Sequence, residues 1–353
     1  MIMFRILEKF KILDITESVD KYGSGPFNRT YFASTHTNND YILQLYGKNC
    51  INRNKDFTIN SQVIISEIKE NMNVDLVLSN NNDFAIVDEY FIRCYKIKKG
   101  QVLFHKVHSD KMLFEMGKAL GTFYNRTKDI QTKNILLTDV DYHNVLKRHY
   151  DLDVFVSKDL ALYLHVFNYI KFCDDRKDTL NLIYDLLKSG EIPTRVIHNN
   201  VRKTNFIFDY ETYDVVDLIG LTASTKGSLL HDYGNAIRYF ASTTTESDNN
   251  LDIVTFNIDY IREFTKGFLE EVKDIITETE CKYLVDSIKV MALDAAIKNL
   301  TDYVKGNVDI EVEYKTQNLD RCKNQLKLVE ELEKHYDEIK STIEEIVKEM
   351  IEL

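Results

Sequence analysis

Between Val196 and Asp217 the chain reads V-I-H-N-N-V-R-K-T-N-F-I-F-D and, after a short turn, Y-D-V-V-D. A β-type hydrophobic run (Val196, Ile197) leads into His198-Asn199-Asn200, Asn205 follows, and a second run (Tyr213, Val215, Val216) leads into Asp217. This order of residue types suits phosphoryl transfer. There, a His-x-Asp triplet supplies the base that takes a proton from an acceptor hydroxyl, while an Asn and an Asp hold Mg²⁺ beneath the phosphates of ATP. Asn205 and Asp217 are accordingly the expected metal ligands. The position of the catalytic base is held by Asn200, whose amide cannot take a proton near neutral pH. His198, on the apolar flank, reads as a structural histidine that holds the loop through backbone hydrogen bonds.

The remaining parts of such a site are less specific. Gly23-Ser24-Gly25 precedes the first strong strand, where backbone amides can approach phosphate oxygens, and the same tripeptide also serves as an ordinary turn. The strand Tyr41-Ile42-Leu43-Gln44-Leu45-Tyr46 carries no cation for the phosphates. Lys48, just beyond it, is the nearest candidate, or else a solvated turn residue. Glu67 and Gln62 on the following helix are the candidates to orient that cation. Lys203 reads equally as a contact to the transferring phosphate and as an exposed loop lysine.

These residues require two kinds of scaffold. Tyr31 to Ser34, Tyr41 to Tyr46, Val74 to Leu78, Phe84 to Val87 and Phe91 to Ile97 are apolar, β-branched or aromatic runs, as expected of an antiparallel sheet. Phe57, Ile59, Val63, Ile64 and Ile68 recur at helical spacing between them. Gly100 is the expected hinge. From Ser109 onward the periodicity is helical, with Leu113, Met116, Leu120 and Phe123 on one face and Ser109 as cap. Arg195 to Leu218 interrupts it as two short strands around the turn Asp209 to Thr212. The expected fold is therefore α+β and two-lobed, of protein-kinase-like type. Residues 1–99 form a sheet lobe with one helix, and residues 100–353 form a helical lobe carrying the 195–218 hairpin. Leu326, Val329, Leu332, Tyr336, Ile339, Ile343, Ile346 and Met350 form a stripe at steps of three and four. It reads first as a helix or helix pair packed on the large lobe, and otherwise as the seam of a homodimer.

With 353 residues, 44% of them apolar and only 12 Gly and 2 Pro, the chain is long enough for two packed lobes. A net charge of −11 argues against a nucleic-acid-binding face. The five cysteines are scattered, which suggests neither a disulfide framework nor a metal cluster and fits a reducing, cytoplasmic setting. No signal peptide is expected at Met1 to Ile12, where charges interrupt the apolar residues, and no apolar run is long enough to span a bilayer.

At these residues the chain resembles the N-acetylhexosamine 1-kinases, within the aminoglycoside phosphotransferase and choline kinase group. The resemblance runs from Gly23-Ser24-Gly25 and Tyr41-Ile42-Leu43-Gln44 through the hairpin. It continues in Gly227-Ser228-Leu229-Leu230-His231-Asp232-Tyr233-Gly234-Asn235-Ala236-Ile237-Arg238, in Leu300-Thr301-Asp302-Tyr303 with Gly306, and in Asn318-Leu319-Asp320-Arg321 leading to Gln325. It implies a kinase fold, ATP and Mg²⁺, and a sugar or other small hydroxylated acceptor. The departures fall on the chemistry. The family keeps Asp where this chain has Asn200, reads Asp-Leu-Asp where this chain has Asp217-Leu218-Ile219, and ends its strand in Arg where this chain has Leu45. Loss of a general base alone costs roughly 10² to 10⁴ in rate. The implied function is a sugar 1-kinase relative with absent or much reduced phosphoryl transfer, a pseudokinase that keeps nucleotide or amino-sugar binding. The alternative is a working ATP-dependent kinase.

Overall fold

The computed structural model describes residues 2–24, 28–47, 55–310 and 312–351. Gly25 and Lys48, two of the expected phosphate contacts, lie outside the described residues, as does Cys50.

Six antiparallel strands build the first lobe: β1 (Thr16–Ser24), β2 (Arg29–Thr35), β3 (Asn39–Tyr46), β4 (Asp75–Leu76), β5 (Ala85–Val87) and β6 (Tyr90–Lys98). Their spatial order is β1-β2-β3-β6-β4, with β5 on β6. Alternation along β3 and β6 divides the sheet into two faces. Leu43, Leu45, Ile92 and Cys94 pack under the helix Ile2–Lys9 through Ile6, Leu7 and Phe10. Ile42, Tyr95 and Ile97 face the other lobe. The helix Ile2–Lys9 and strand β1 carry no signal as strong as the alternating runs, so the described residues of the lobe hold two helices where a single one was expected. The second, Lys55–Ile68, buries Phe57, Ile64 and Ile68 of the expected stripe and half-buries Val63, while Ile59 is exposed together with Gln62 and Glu67. Asn60, Ser61 and Ile65 complete the buried face.

At Gly100 (φ +88°) the chain leaves this sheet, and β7 (Gln101–Leu103) joins β9 (Phe206–Asp209) and β10 (Val215–Leu218) in a second one. The motif region forms three strands, not two. β8 (Arg195–Ile197) pairs with β11 (Thr225–Gly227), leaving β9 and β10 as the hairpin. The rest of the second lobe is helical. Helices Asp110–Thr127 and Ile258–Val272 cross at glycines. A Cβ on Gly117 would stand 2.1 Å from Phe264 O and one on Gly267 1.9 Å from Phe114 O, so the backbones approach as closely as side-chain-free residues allow. No helix among the described residues is long and apolar enough to cross a membrane.

The C-terminal stripe divides between helices Gln317–Lys334 and Tyr336–Met350. Val329, Leu332, Ile339, Ile343 and Ile346 are buried within the chain, against helices Leu284–Val304 and Ile258–Val272. The packed helix pair is the arrangement formed. The seam proposed for a homodimer is consumed inside one chain, because its apolar positions are already covered.

Candidate functional site

β8 delivers His198 into the interior and the backbone turns at Asn199 (φ +59°). The carboxylate of Asp232 fixes that turn, accepting from the amides of His198 (2.7 Å) and Asn199 (2.8 Å) and from the Tyr124 hydroxyl (2.7 Å). Burial pushes Asp232 up to about 6, against the pull of these donors. Burial also lowers His198 to about 4, so it is neutral. Its Nε2 donates to Ile219 O at 3.0 Å, which leaves Nδ1 to accept from the Asn200 amide at 3.3 Å.

Asn200 is 2% exposed, and its Nδ2 has no hydrogen-bond partner. The backbone carbonyl of Asn200 accepts from Asn205 Nδ2 at 2.7 Å. Asn205 Oδ1 accepts from Gln44 Nε2 across the lobes at 2.9 Å. The Asn205 amide lies flat on Gly220, where a Cβ would stand 2.5 Å from Nδ2 and φ is +95°; that position requires glycine for both reasons. Asp217 is engaged elsewhere, accepting from Arg126 Nη1 (2.6 Å) and from the amide of Asn73 (2.7 Å). The side chains of Asn205 and Asp217 thus have different hydrogen-bond partners. Ile219 is the residue whose amide reaches Asn205 O at 2.8 Å, at the position where the family resemblance implies a second Asp. An amide bonded at both ends, a carboxylate held by arginine and an isoleucine do not fit Mg²⁺, which takes free carboxylate and other hard oxygen donors. Among the described residues no group of three or more His, Cys, Asp or Glu is placed to hold a metal.

Beneath β3 and β6 the lobes are in direct apolar contact. Ile42, Tyr95 and Ile97 from the sheet meet Leu103, Ile207 and Ile219 from the second lobe in one apolar cluster, each at most 2% exposed. At its edge Tyr22 stacks on His105 with centroids 4.4 Å apart. A Cβ on Gly23 would stand 3.0 Å from Thr204 Cγ2, so β1 rests on the loop between Asn200 and Asn205. The sheet does own a buried cation beside Gln44. Its cross-strand neighbour Arg93 bonds Thr222 Oγ1 (2.7 Å) and Ser61 Oγ (3.0 Å), which ties the lobes together. Gln62 and Glu67, exposed on the same helix as Ser61, orient nothing there.

A cavity of about 810 Å³ opens on the helical side of the loop, and Gly23, Asn200 and Lys203 all line it. Of the expected site residues these three are brought together, whereas Asn205 and Asp217 do not line it. Sequence reasoning missed its charged corner. Glu246 bridges Arg202 (2.8 Å) and Arg238 (2.5 Å), and the two guanidiniums hold its carboxyl well below the usual range. Arg321 binds Ser247 Oγ (3.0 Å) and Asn318 Oδ1 (2.7 Å). Lys203 stands 5.2 Å over the Tyr239 ring. Arg238 and Arg321 belong to blocks that carry the resemblance without an assigned role, and Glu246 to none, so no local spacing announces the group.

No protein-family model matches the chain. Among solved structures it is similar to a microcompartment-associated aminopropanol kinase, with a TM-score of 0.61 and 10% identity over 95% of this chain and 98% of that one. It is also similar to choline kinase from Cryptosporidium parvum Iowa II, with a TM-score of 0.59 and 13% identity over 98% of each chain. Amicoumacin kinase hAmiN, whose structure is a complex with AMP-PNP and Ca²⁺, gives a TM-score of 0.58 and 13% identity over 92% of each chain. Identities this low define the fold, which is that of the aminoglycoside phosphotransferases and choline kinases.

Proposed function

We propose that the chain is a relative of the N-acetylhexosamine 1-kinases in which phosphoryl transfer is absent or much reduced. In this reading it binds a small hydroxylated molecule, of amino-sugar type, in the 810 Å³ cavity. The observation that carries the reading is Asn200. The catalytic-base position on the cavity wall holds a buried amide, and the nearby carboxylate of Asp232 is occupied by three donors. The sealed interlobe cluster supports weak or absent nucleotide binding, because a nucleotide there would have to displace Ile42, Ile207 and Ile219. Cys94, Cys173, Cys281 and Cys322 are free and buried, which supports the reducing, cytoplasmic setting.

The test is incubation with Mg²⁺·ATP and a panel of N-acetylhexosamines, following ADP release and the mass of any sugar 1-phosphate. The expected result is no product above the protein-free control, together with a thermal shift from one of the sugars. Robust turnover would instead establish a working kinase, with solvent taking the proton.

A further inference from the structure

The cationic corner of the cavity has more charge than it neutralises. Arg202, Lys203, Arg238 and Arg321 all line it, and among the described residues Glu246 is the single carboxylate within ion-pair distance of any of them. Of the cavity's other carboxylates, Glu313 is exposed at the rim, where its charge acts on Arg321 without an ion pair, and the other two are committed. Asp294 is held by Arg148 and by Lys298, the latter at 2.6 Å, and Asp232 by its three donors. Two donors in the wall are also orphaned. Arg238 is 4% exposed with no partner for Nε, and Asn200 is 2% exposed with none for Nδ2. Desolvation and the neighbouring Arg202 lower Lys203, with Glu246 opposing them, so an added anion would favour its charged form.

Resting on the reading that this cavity is the binding site, we propose that its ligand carries a phosphomonoester. The phosphate would be received in the corner formed by Lys203, Arg238, Arg321 and Asn200. A phosphomonoester brings nearly two negative charges and three acceptor oxygens, which match several uncompensated cations better than a single carboxylate does. At the Asn200 position a carboxylate would repel such a group, and a neutral amide does not. The asparagine therefore does more than mark a lost base: it removes a negative charge from the wall of the corner that would receive the phosphate. A cavity of 810 Å³ leaves room for a sugar-sized body beside the phosphate.

The test is calorimetry without nucleotide, using inorganic phosphate, N-acetylglucosamine 1-phosphate and 6-phosphate, neutral N-acetylglucosamine, and glucuronate. At least one phosphate compound should bind tenfold or more tightly than the neutral sugar and glucuronate, and should weaken as salt rises. Inorganic phosphate binding as tightly as the esters would support the same corner with free phosphate as its occupant. The variant K203Q/R321Q, shown by circular dichroism to be folded, should lose at least tenfold for the phosphate compound while its weak affinity for neutral sugar stays. Asn200→Asp should weaken the same compound through charge. The proposal is overturned if the neutral sugar matches the phosphates, if no phosphate compound binds at millimolar concentration, or if the folded double variant binds phosphate unchanged. Turnover of ATP would be seen in the separate kinase assay, so failure of the inactive-kinase reading is distinguishable from failure of this one.

Discussion

Arg126 holds Asp217 in an ion pair of 2.6 Å between side chains 16% and 1% exposed. The carboxylate that the motif offers for metal binding is thus a clamp between the hairpin and the helix Asp110–Thr127. Removing one partner of such a pair strands the other, at a cost of about 3–5 kcal/mol. Asp217→Ala should therefore lower the urea midpoint markedly and leave the response to Mg²⁺·ATP unchanged. A variant of parental stability with altered nucleotide response would return Asp217 to the site.

Asn200→Asp changes little in volume and restores the family residue. It should nevertheless give no measurable sugar phosphorylation, because Ile219 and Leu45 also stand where the resemblance implies charged groups, and residues that act as a unit are non-additive. Coupled ADP release checks this. A gain of about tenfold or more, within the usual range for a positioned base, would show that the base is the principal loss.

Ile42 joins the two lobes in the apolar seal and is 0% exposed. Ile42→Ala should cost about 2–5 kcal/mol by cavity formation, read from denaturant unfolding. A change below about 1 kcal/mol, less than the usual Ile→Ala range, would mean that the space between the lobes is not packed as described.

Acid should destabilise the protein before its ordinary, unshifted carboxylates titrate. Burial holds His198 and His231 to about 4, whereas unfolded histidines protonate near about 6.5. From pH 6.5 down to about 4 the unfolded chain binds the extra protons, so stability falls with pH across that window. Asp232, raised to about 6, works in the opposite direction, since its native form takes a proton first. Two histidines outweigh one aspartate, and the melting temperature should drop between pH 7 and 4.5. His198→Gln, which keeps a donor for Ile219 O, should show a shallower slope; a flat profile in the parent would contradict the assignment.

The strands that could be read from the sequence were those whose alternation is strict. Leu43 and Leu45 face one cluster, while Ile42 and Gln44 face the other lobe, so the pattern is visible in six residues. The face of the helix Lys55–Ile68 is legible at Phe57, Ile64 and Ile68, whereas Asn60 and Ser61, polar but buried on the same side, are not. The loop residues Asn200 and Lys203 were legible through the motif's order. Arg126, Arg238, Glu246 and Arg321 were not, since they come from separate elements and meet only after folding. Asp217 misled for the same reason: the partner that claims it is Arg126, distant in sequence.

The bonds from Gln44 to Asn205 and from Arg93 to Thr222 have a dynamic consequence. Prising the lobes apart would break both and wet Ile42, Ile207 and Ile219 at once, so opening the hinge costs a large part of what unfolding costs. Amide protons of β3 and β9 should then exchange with deuterium only through global opening, as one cooperative block. Ligand traffic into the cavity falls to the helical side, around Ile310 and Gln317, where movement leaves the seal intact.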